Sequence, residues 1–252
     1  MTAQPLPVLV VEHEAQCPPG WMGEWLTEMG LPVDVRRPYA GDSLPEDLTG
    51  HAGMLVLGGE MGAHDGDLHP WLIEVQRLVV AATGDGTPVL GICLGHQLIA
   101  EALGGRVDRN QYGQQIGVLD VGWTTAALDD PLFRRLAARG AGVPAVQWNN
   151  DVVTRLPGDA VEIARTPRQE VQAARFAPAV WGVQWHPEAG EEIIGPWVDT
   201  DRDDAIERGV DIDAYLDQVV AARARLRETW RVLAEEFVSV CREPDLLEVD
   251  RR

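Results

Sequence analysis

PVLGICLGHQLIAEALGG, residues 88–105, joins a short apolar run to a helical pattern through one cysteine with a glycine two positions to either side. TPVLGIC, residues 87–93, reads as a short buried strand. Beyond it, Leu94, Leu98, Ile99, Ala102 and Leu103 recur at helical spacing, and Gly104 and Gly105 suit a C-terminal cap. Gly91-x-Cys93-x-Gly95 therefore has the shape of a nucleophile elbow, a sharp strand-to-helix turn that holds its central residue strained and exposed. Sulfur at a helix N-terminus sits at the positive end of the macrodipole beside unpaired N–H groups, and both favour an anion. The competing reading is an inert core cysteine behind a tight turn.

The pattern repeats outward from this stretch. PVLVVEHE, LPVDVRRP, AGMLVLGG, IGVLDVGW and VWGVQWHPE are β-branched runs closed by turn residues. HPWLIEVQRLVVAA carries Leu72, Val75, Gln76, Val79 and Val80 on roughly one helical face, with Pro70 placed for a first turn. Alternating strands and helices predict an α/β fold with a mostly parallel sheet covered by helices on both faces. From about Gln114 to Val183 strand signals crowd together, in VEIARTP, EVQAARFAP and AVWGVQW, which predicts a second, smaller and partly antiparallel layer. After Glu188 the chain turns charged and alanine-rich, and Leu226, Trp230, Leu233, Phe237 and Val240 repeat as a helical stripe suited to core or dimer packing. No Gly-, Pro- or Ser-rich linker interrupts the chain, so residues 1–252 are read as one domain, with a core over about 5–192 and a helical extension over about 193–252.

Composition narrows the function classes. A formal charge of -19 with no visible basic patch disfavours nucleic acid and anionic membrane surfaces as partners. The acidic stretches EEIIGPWVDTDRDD and REPDLLEVD read as solvated surface and terminus. Every basic residue is arginine, so a Walker-type phosphate loop, a pyridoxal Schiff base and a lysine general base are all excluded. Cys17, Cys93 and Cys241 are too few and too irregularly spaced for a disulfide framework or zinc cluster. With no apolar stretch of membrane-spanning length and no basic N-terminal leader, a cytoplasmic protein is expected.

A thiolate that attacks a carbonyl needs a base to carry the proton to the leaving amine, usually histidine oriented by a carboxylate. WGVQWHPE supplies both. Val180, Gly182, Gln184 and His186 alternate to one side, Trp181, Val183 and Trp185 to the other, so His186 emerges at the sheet edge. Pro187 then stops the ladder and lets Glu188 fold back toward the imidazole. An anionic tetrahedral intermediate also needs N–H donors. LVLGGEMG ends a strand at Gly58 and Gly59, where a bare backbone can aim an amide, and the Leu94 amide beyond the elbow is a second candidate. Taken singly, each segment has a plain reading as a turn.

Together, GICLGHQ, WGVQWHPE and LVLGG resemble the class I (triad) glutamine amidotransferases in motif order and approximate spacing over most of residues 6–190. The resemblance implies a flavodoxin-like core and hydrolysis of a γ-glutamyl amide through a thioester, giving glutamate and ammonia without a cofactor. It further implies Cys93 as nucleophile, His186 as general base and acid, Glu188 as orienting carboxylate, and Gly59 and Leu94 as oxyanion donors. Gly58, Gln97 and Gln115 match substrate-side positions. The chain departs from the family pattern at Glu60, where many relatives have proline, at Gln115, where the family is often acidic, and at Asn149, where a histidine is common. These departures bear on the substrate more than on the chemistry.

Two enzyme readings follow, both on a small-molecule substrate: a glutaminase that feeds a separate synthase subunit, or a hydrolase of γ-glutamyl peptides and amides acting alone. A DJ-1/PfpI-like thiol protein shares the sheet and elbow but lacks the His-Pro-Glu. A homodimer remains open. HDGDLH brings His64, Asp65, Asp67 and His69 close together; it is read as a polar loop with Asp67 or His69 capping the next helix, and no metal is assigned to it. His96 is read as a wall of the site.

Overall fold

A computed structural model describes residues 5–243 other than residue 208. The acidic tail from residue 244 onward, read above as a solvated terminus, lies outside the described residues. The chain builds strands β1 (Val8–Val11), β2 (Val33–Arg36), β3 (Gly53–Val56) and β4 (Val89–Ile92), with helices α1 (Gly20–Glu28) and α2 (Trp71–Asp85) between them. Helix α3 (Leu94–Ala102) starts immediately after the elbow. Then follow β5 (Arg106–Arg109), β6 (Gln115–Asp120), the single-turn α4 (Arg134–Ala137), β7 (Pro144–Asn149), β8 (Asp151–Arg155), β9 (Val161–Arg165), β10 (Val171–Ala177) and β11 (Val180–Val183). Helices α5 (Glu191–Glu207) and α6 (Ile212–Arg242) complete the described chain.

Seven strands form one sheet in the order β2-β1-β3-β4-β11-β10-β9. The first five run parallel, and β10 and β9 add on antiparallel. Alternation along each strand feeds two cores. Val8, Val10, Leu55, Leu90, Ile92, Trp181 and Val183 pack with α1 and α6, whereas Leu9, Val11, Met54, Val56, Val89 and Val180 pack with α2 and α3. The doubly covered, mostly parallel sheet is therefore as expected, but the expected second layer is smaller than the sequence suggests. VEIARTP and EVQAARFAP extend the main sheet, and only the pairs β5-β8 and β6-β7 stand apart from it among the described residues. Strand alternation cannot say which sheet a strand joins, because both positions bury one face.

On α2 the buried residues are Leu72, Val75, Leu78, Val79 and Ala82. Val80, placed on this face from its spacing, is 49% exposed. The helix begins after Pro70 with no side-chain cap, so neither Asp67 nor His69 plays the expected role. The HDGDLH loop is instead closed by Asp65 accepting from the Gly62 amide, and His64 Nε2 lies 3.0 Å from the Val107 carbonyl.

The C-terminal stripe is core. Leu226, Trp230, Leu233, Phe237 and Val240 are buried within the chain's own interior, with the Trp230 ring 5.2 Å from Trp185. At its margins Arg227 pairs with Glu24, Arg231 with Glu28, and Arg223 with Glu191. Half-exposed pairs of this kind add little each, so burial carries the attachment. Trp230→Ala should lower the unfolding free energy by about 3–5 kcal/mol in a denaturant titration, the range for deleting a fully buried aromatic. A loss below about 1 kcal/mol would show that α6 is only loosely attached.

Candidate active site

Three neighbouring parallel strands end side by side. Val56 of β3 pairs with Gly91 of β4, and Ile92 of β4 pairs with Val183 of β11. Shortly beyond these ends come Gly58–Gly59, Cys93 and Gln184–His186, so the three sequence motifs converge at the carboxyl ends of the strands, where open α/β sheets place their ligand crevices.

The elbow is tight for a steric reason. A Cβ at Gly91 would run into the backbone of Gly95, and one at Gly95 would run into the Val56 carbonyl. Cys93 itself has φ 50°, one of two non-glycine residues with positive φ among the described residues. Its amide donates to the Val183 carbonyl at 2.8 Å, which fixes the turn. Such a conformation in a residue with a side chain persists only where the surroundings enforce it. Leu94 opens α3, so its amide belongs to the first turn, whose donors lack intrahelical acceptors.

His186 and Cys93 flank the same bare α-carbon. A Cβ at Gly58 would lie 3.1 Å from the imidazole and 3.5 Å from Cys93 Cβ. His186 Nδ1 is 2.7 Å from Glu188 Oε1, with both side chains buried. The other ring nitrogen, Nε2, has no hydrogen-bond partner of normal geometry, although the sulfur interacts with the ring electrostatically. Catalytic contacts are often loose without substrate. Burial opposes charge on this imidazole, but the Glu188 carboxylate and then Cys93 outweigh it and raise the His186 pKa to about 10.

Cys93 lies in a cleft of about 220 Å³, which Gly59, Gln97 and His186 also line. Trp148 and Trp197 form an aromatic side, with ring centres 5.7 Å apart, and Trp197 stands edge-on to His186 at 4.8 Å. Trp197 is held by its Nε1 donating to the Gln16 carbonyl at 2.8 Å. The rim carries Glu14, Glu60, Asp151 and Asp201, with Arg109 3.4 Å from Asp151. Cys17 also reaches the cleft, but its thiol donates to Glu14 at 3.0 Å, and burial followed by Glu14 pushes its pKa far up. It is not placed to ionise.

Other expected residues sit differently. Gln97 lines the cleft, but its amide nitrogen already donates to the Asp151 carbonyl at 3.0 Å and to Gln184 Oε1 at 3.2 Å. Gln115 lines a neighbouring cavity and reaches the cleft only through Asn149, whose Nδ2 donates to Gln115 Oε1 at 3.1 Å. His96 is no wall of the cleft. It is fully buried against Gly182 and Phe176, and burial lowers its pKa to about 3. Sequence reasoning passed over His13, whose Cβ supports Gly59 and whose Nδ1 accepts from Trp71 at 3.2 Å. It also missed Gln184 as a contact of the sulfur and Trp197 as a contact of the imidazole. For Gln184 the signal was present, since strand alternation puts it on the same side as His186.

Residues 24–196 match the family model for class I glutamine amidotransferases. The chain belongs to this family. It is 35% identical over 182 residues to a glutamine-hydrolyzing GMP synthase of Aeropyrum pernix, a match covering 69% of this chain but only 32% of that protein. It is 33% identical over 177 residues to a glutamine-hydrolyzing GMP synthase subunit from Methanopyrus kandleri, covering 67% of this chain and 82% of that one. A γ-glutamyl peptidase of Arabidopsis thaliana is 24% identical over 205 residues, covering 77% and 75%. Among solved structures, a glutamine amidotransferase of Thermotoga maritima superposes with a TM-score of 0.82 at 26% identity, covering 92% of this chain and 98% of that one. The flavodoxin-like α/β fold is thus that of the class I amidotransferases. Among the described residues no helix is long and apolar enough to cross a membrane.

Nitrogen NMR of the histidines tests the electrostatics of the amidotransferase cleft. Because Glu188 supports the charged ring, His186 should remain doubly protonated at about pH 8, well above the ordinary range. Glu188→Gln removes that support while burial remains, so the ring should lose its proton at lower pH. An unchanged titration would mean that the carboxylate does not govern this imidazole.

Proposed function

We propose that the protein hydrolyses the γ-amide of glutamine through a thioester on Cys93. One observation carries the reading: a buried His186–Glu188 pair stands beside a cysteine at the mouth of a strained elbow, inside a cleft closed by a side-chain-free strand end. The sulfur attacks the amide carbon, its electron pair forms the C–S bond, and the carbonyl electrons move onto oxygen. Amides of Gly59 and Leu94 receive that oxyanion, the usual source of the largest rate term in acyl transfer. Collapse expels the amine, which takes its proton from the His186 imidazolium and leaves as ammonia. The now neutral imidazole removes a proton from water, hydroxide adds to the thioester, and the thiolate departs as glutamate forms. Glu188 holds the ring in orientation and supports its charged form throughout.

The ammonia passes to an acceptor, for which a separate synthase subunit is the simplest arrangement, as the likeness to the Methanopyrus kandleri protein suggests. The competing reading is hydrolysis of γ-glutamyl peptides or amides by the chain alone. It is favoured by the likeness to a γ-glutamyl peptidase and by a cleft that extends past Cys93 to Arg109 and Asp201, leaving room for a larger leaving amine. Both use one thioester and differ in the leaving group.

Purified protein offered glutamine and a panel of γ-glutamyl dipeptides separates these readings. Glutamate release from glutamine should be measurable and should fall at least about a thousandfold in Cys93→Ser. Much faster cleavage of dipeptides than of glutamine would favour the stand-alone hydrolase. No glutamate from any substrate, with or without added cell extract, would contradict thioester hydrolysis altogether.

A further inference from the structure

The buried side chain of Gln184 contacts the sulfur. Its Nε2 donates to Cys93 Sγ at 3.5 Å, and its side chain is fully buried just beyond the end of β11. The backbone there is pinned by the Gln184 amide donating to the Gln172 carbonyl at 2.7 Å. A primary amide can present either its N–H or its oxygen to a neighbour, and an oxygen toward an anionic sulfur would repel it. Something must therefore choose the orientation.

Gln97 makes that choice. The Asp151 main-chain carbonyl can only accept, so the Gln97 amide must turn its nitrogen toward it, at 3.0 Å. The same nitrogen donates to Gln184 Oε1 at 3.2 Å. With its oxygen thus engaged, Gln184 has only its N–H group left to face the sulfur. The Asp151 carbonyl also accepts from Asn149 Nδ2 at 3.1 Å, and Asn149 is held by Gln115, whose own nitrogen donates to the Glu170 carboxylate at 2.9 Å. The two glutamines at substrate-side positions thus converge on one carbonyl that fixes the direction of this chain of amides.

We propose that Gln184 is a hydrogen-bond donor to the Cys93 thiolate and that Gln97 is the positioning residue that orients it. The inference rests on the reading of Cys93 as nucleophile and adds a function to Gln97 beyond holding substrate. Such a donor acts twice. It supports the sulfur anion before attack, and again when the thioester collapses and the sulfur leaves with the electron pair of the C–S bond. In the thioester the sulfur is neutral, so the contact is strongest in the states that carry charge.

Alkylation of Cys93 by iodoacetamide, followed peptide by peptide with mass spectrometry across pH and without substrate, tests this independently of turnover. Removing a hydrogen bond to a charged group should move the pH of half-maximal alkylation rate upward by roughly one unit in Gln184→Leu. Gln184→Glu, which places a carboxylate against the sulfur, should move it further. Gln97→Met frees the Gln184 amide to turn and should move it in the same direction by less. If Gln97 only holds substrate, its variant will show a raised KM with an unchanged alkylation profile, and the orienting role falls. If both Gln184 variants keep the circular dichroism and alkylation profile of the parent protein, the proposal falls whether or not glutamine is hydrolysed. Should Gln184→Leu fail to fold, Gln184→Glu and Gln97→Met still decide the matter.

Discussion

No side chain fits at residue 95, because its α-carbon rests against the carbonyl of Val56 on the neighbouring strand. That contact lets β4 turn into α3 without an intervening loop, and the turn holds Cys93 at a positive φ of 50°. Everything at the site follows from it. The sulfur stands above the sheet and the first-turn amides of α3 lie beside it. The strands on either flank end at the right height to deliver Gly58 from one side and His186 from the other. Larger residues at 91 or 95 would push the helix off the sheet and separate all three groups at once, so the glycines are requirements of the site as much as of the fold.

The site combines low polarity with concentrated charge. His186 and Glu188 are almost wholly buried, a costly arrangement unless the two are paired and the pair is used. Their hydrogen bond and the nearby sulfur settle the proton on the ring against the cost of burial. Trp197 covers one edge of the imidazole, which limits water there and strengthens the electrostatic coupling. Around this interior the rim is mostly acidic, and the guanidinium of Arg109 there faces Asp151.

Sequence alone made the convergence of Cys93, His186 and Gly58 legible because elbow and His-Pro-Glu encode backbone constraints that are local. Glycine at 91 and 95, and a histidine shortly past a strand end and just before proline, report their geometry without reference to the rest of the chain. The fold class was legible for the same reason, through strand alternation and helical spacing. What stayed hidden depends on distant contacts. Nothing in EEIIGPWVDTDRDD says that Trp197 will lie against His186, since its charges look like solvated surface and its Pro196 looks like a break. Gln115 carried a family expectation but lies one hydrogen bond away from the cleft, because it pairs across β6 and β7 with Asn149, and it is the β7 residues Trp148 and Asn149 that line the sulfur's side. His96 looked like part of the site from its place in the elbow helix. Its position three residues past the cysteine turns it under the sheet, against Gly182.

The central claim is that the sulfur of Cys93, activated by His186, attacks a γ-glutamyl carbonyl. A glutamine analogue with a diazoketone in place of the side-chain amide tests it most directly, because it is captured covalently by the group that attacks this position. Intact-protein and peptide mass spectrometry should find one equivalent of adduct on Cys93, formed far more slowly in His186→Ala. Label on Cys17 or Cys241, or equal labelling with and without the imidazole, would contradict the account.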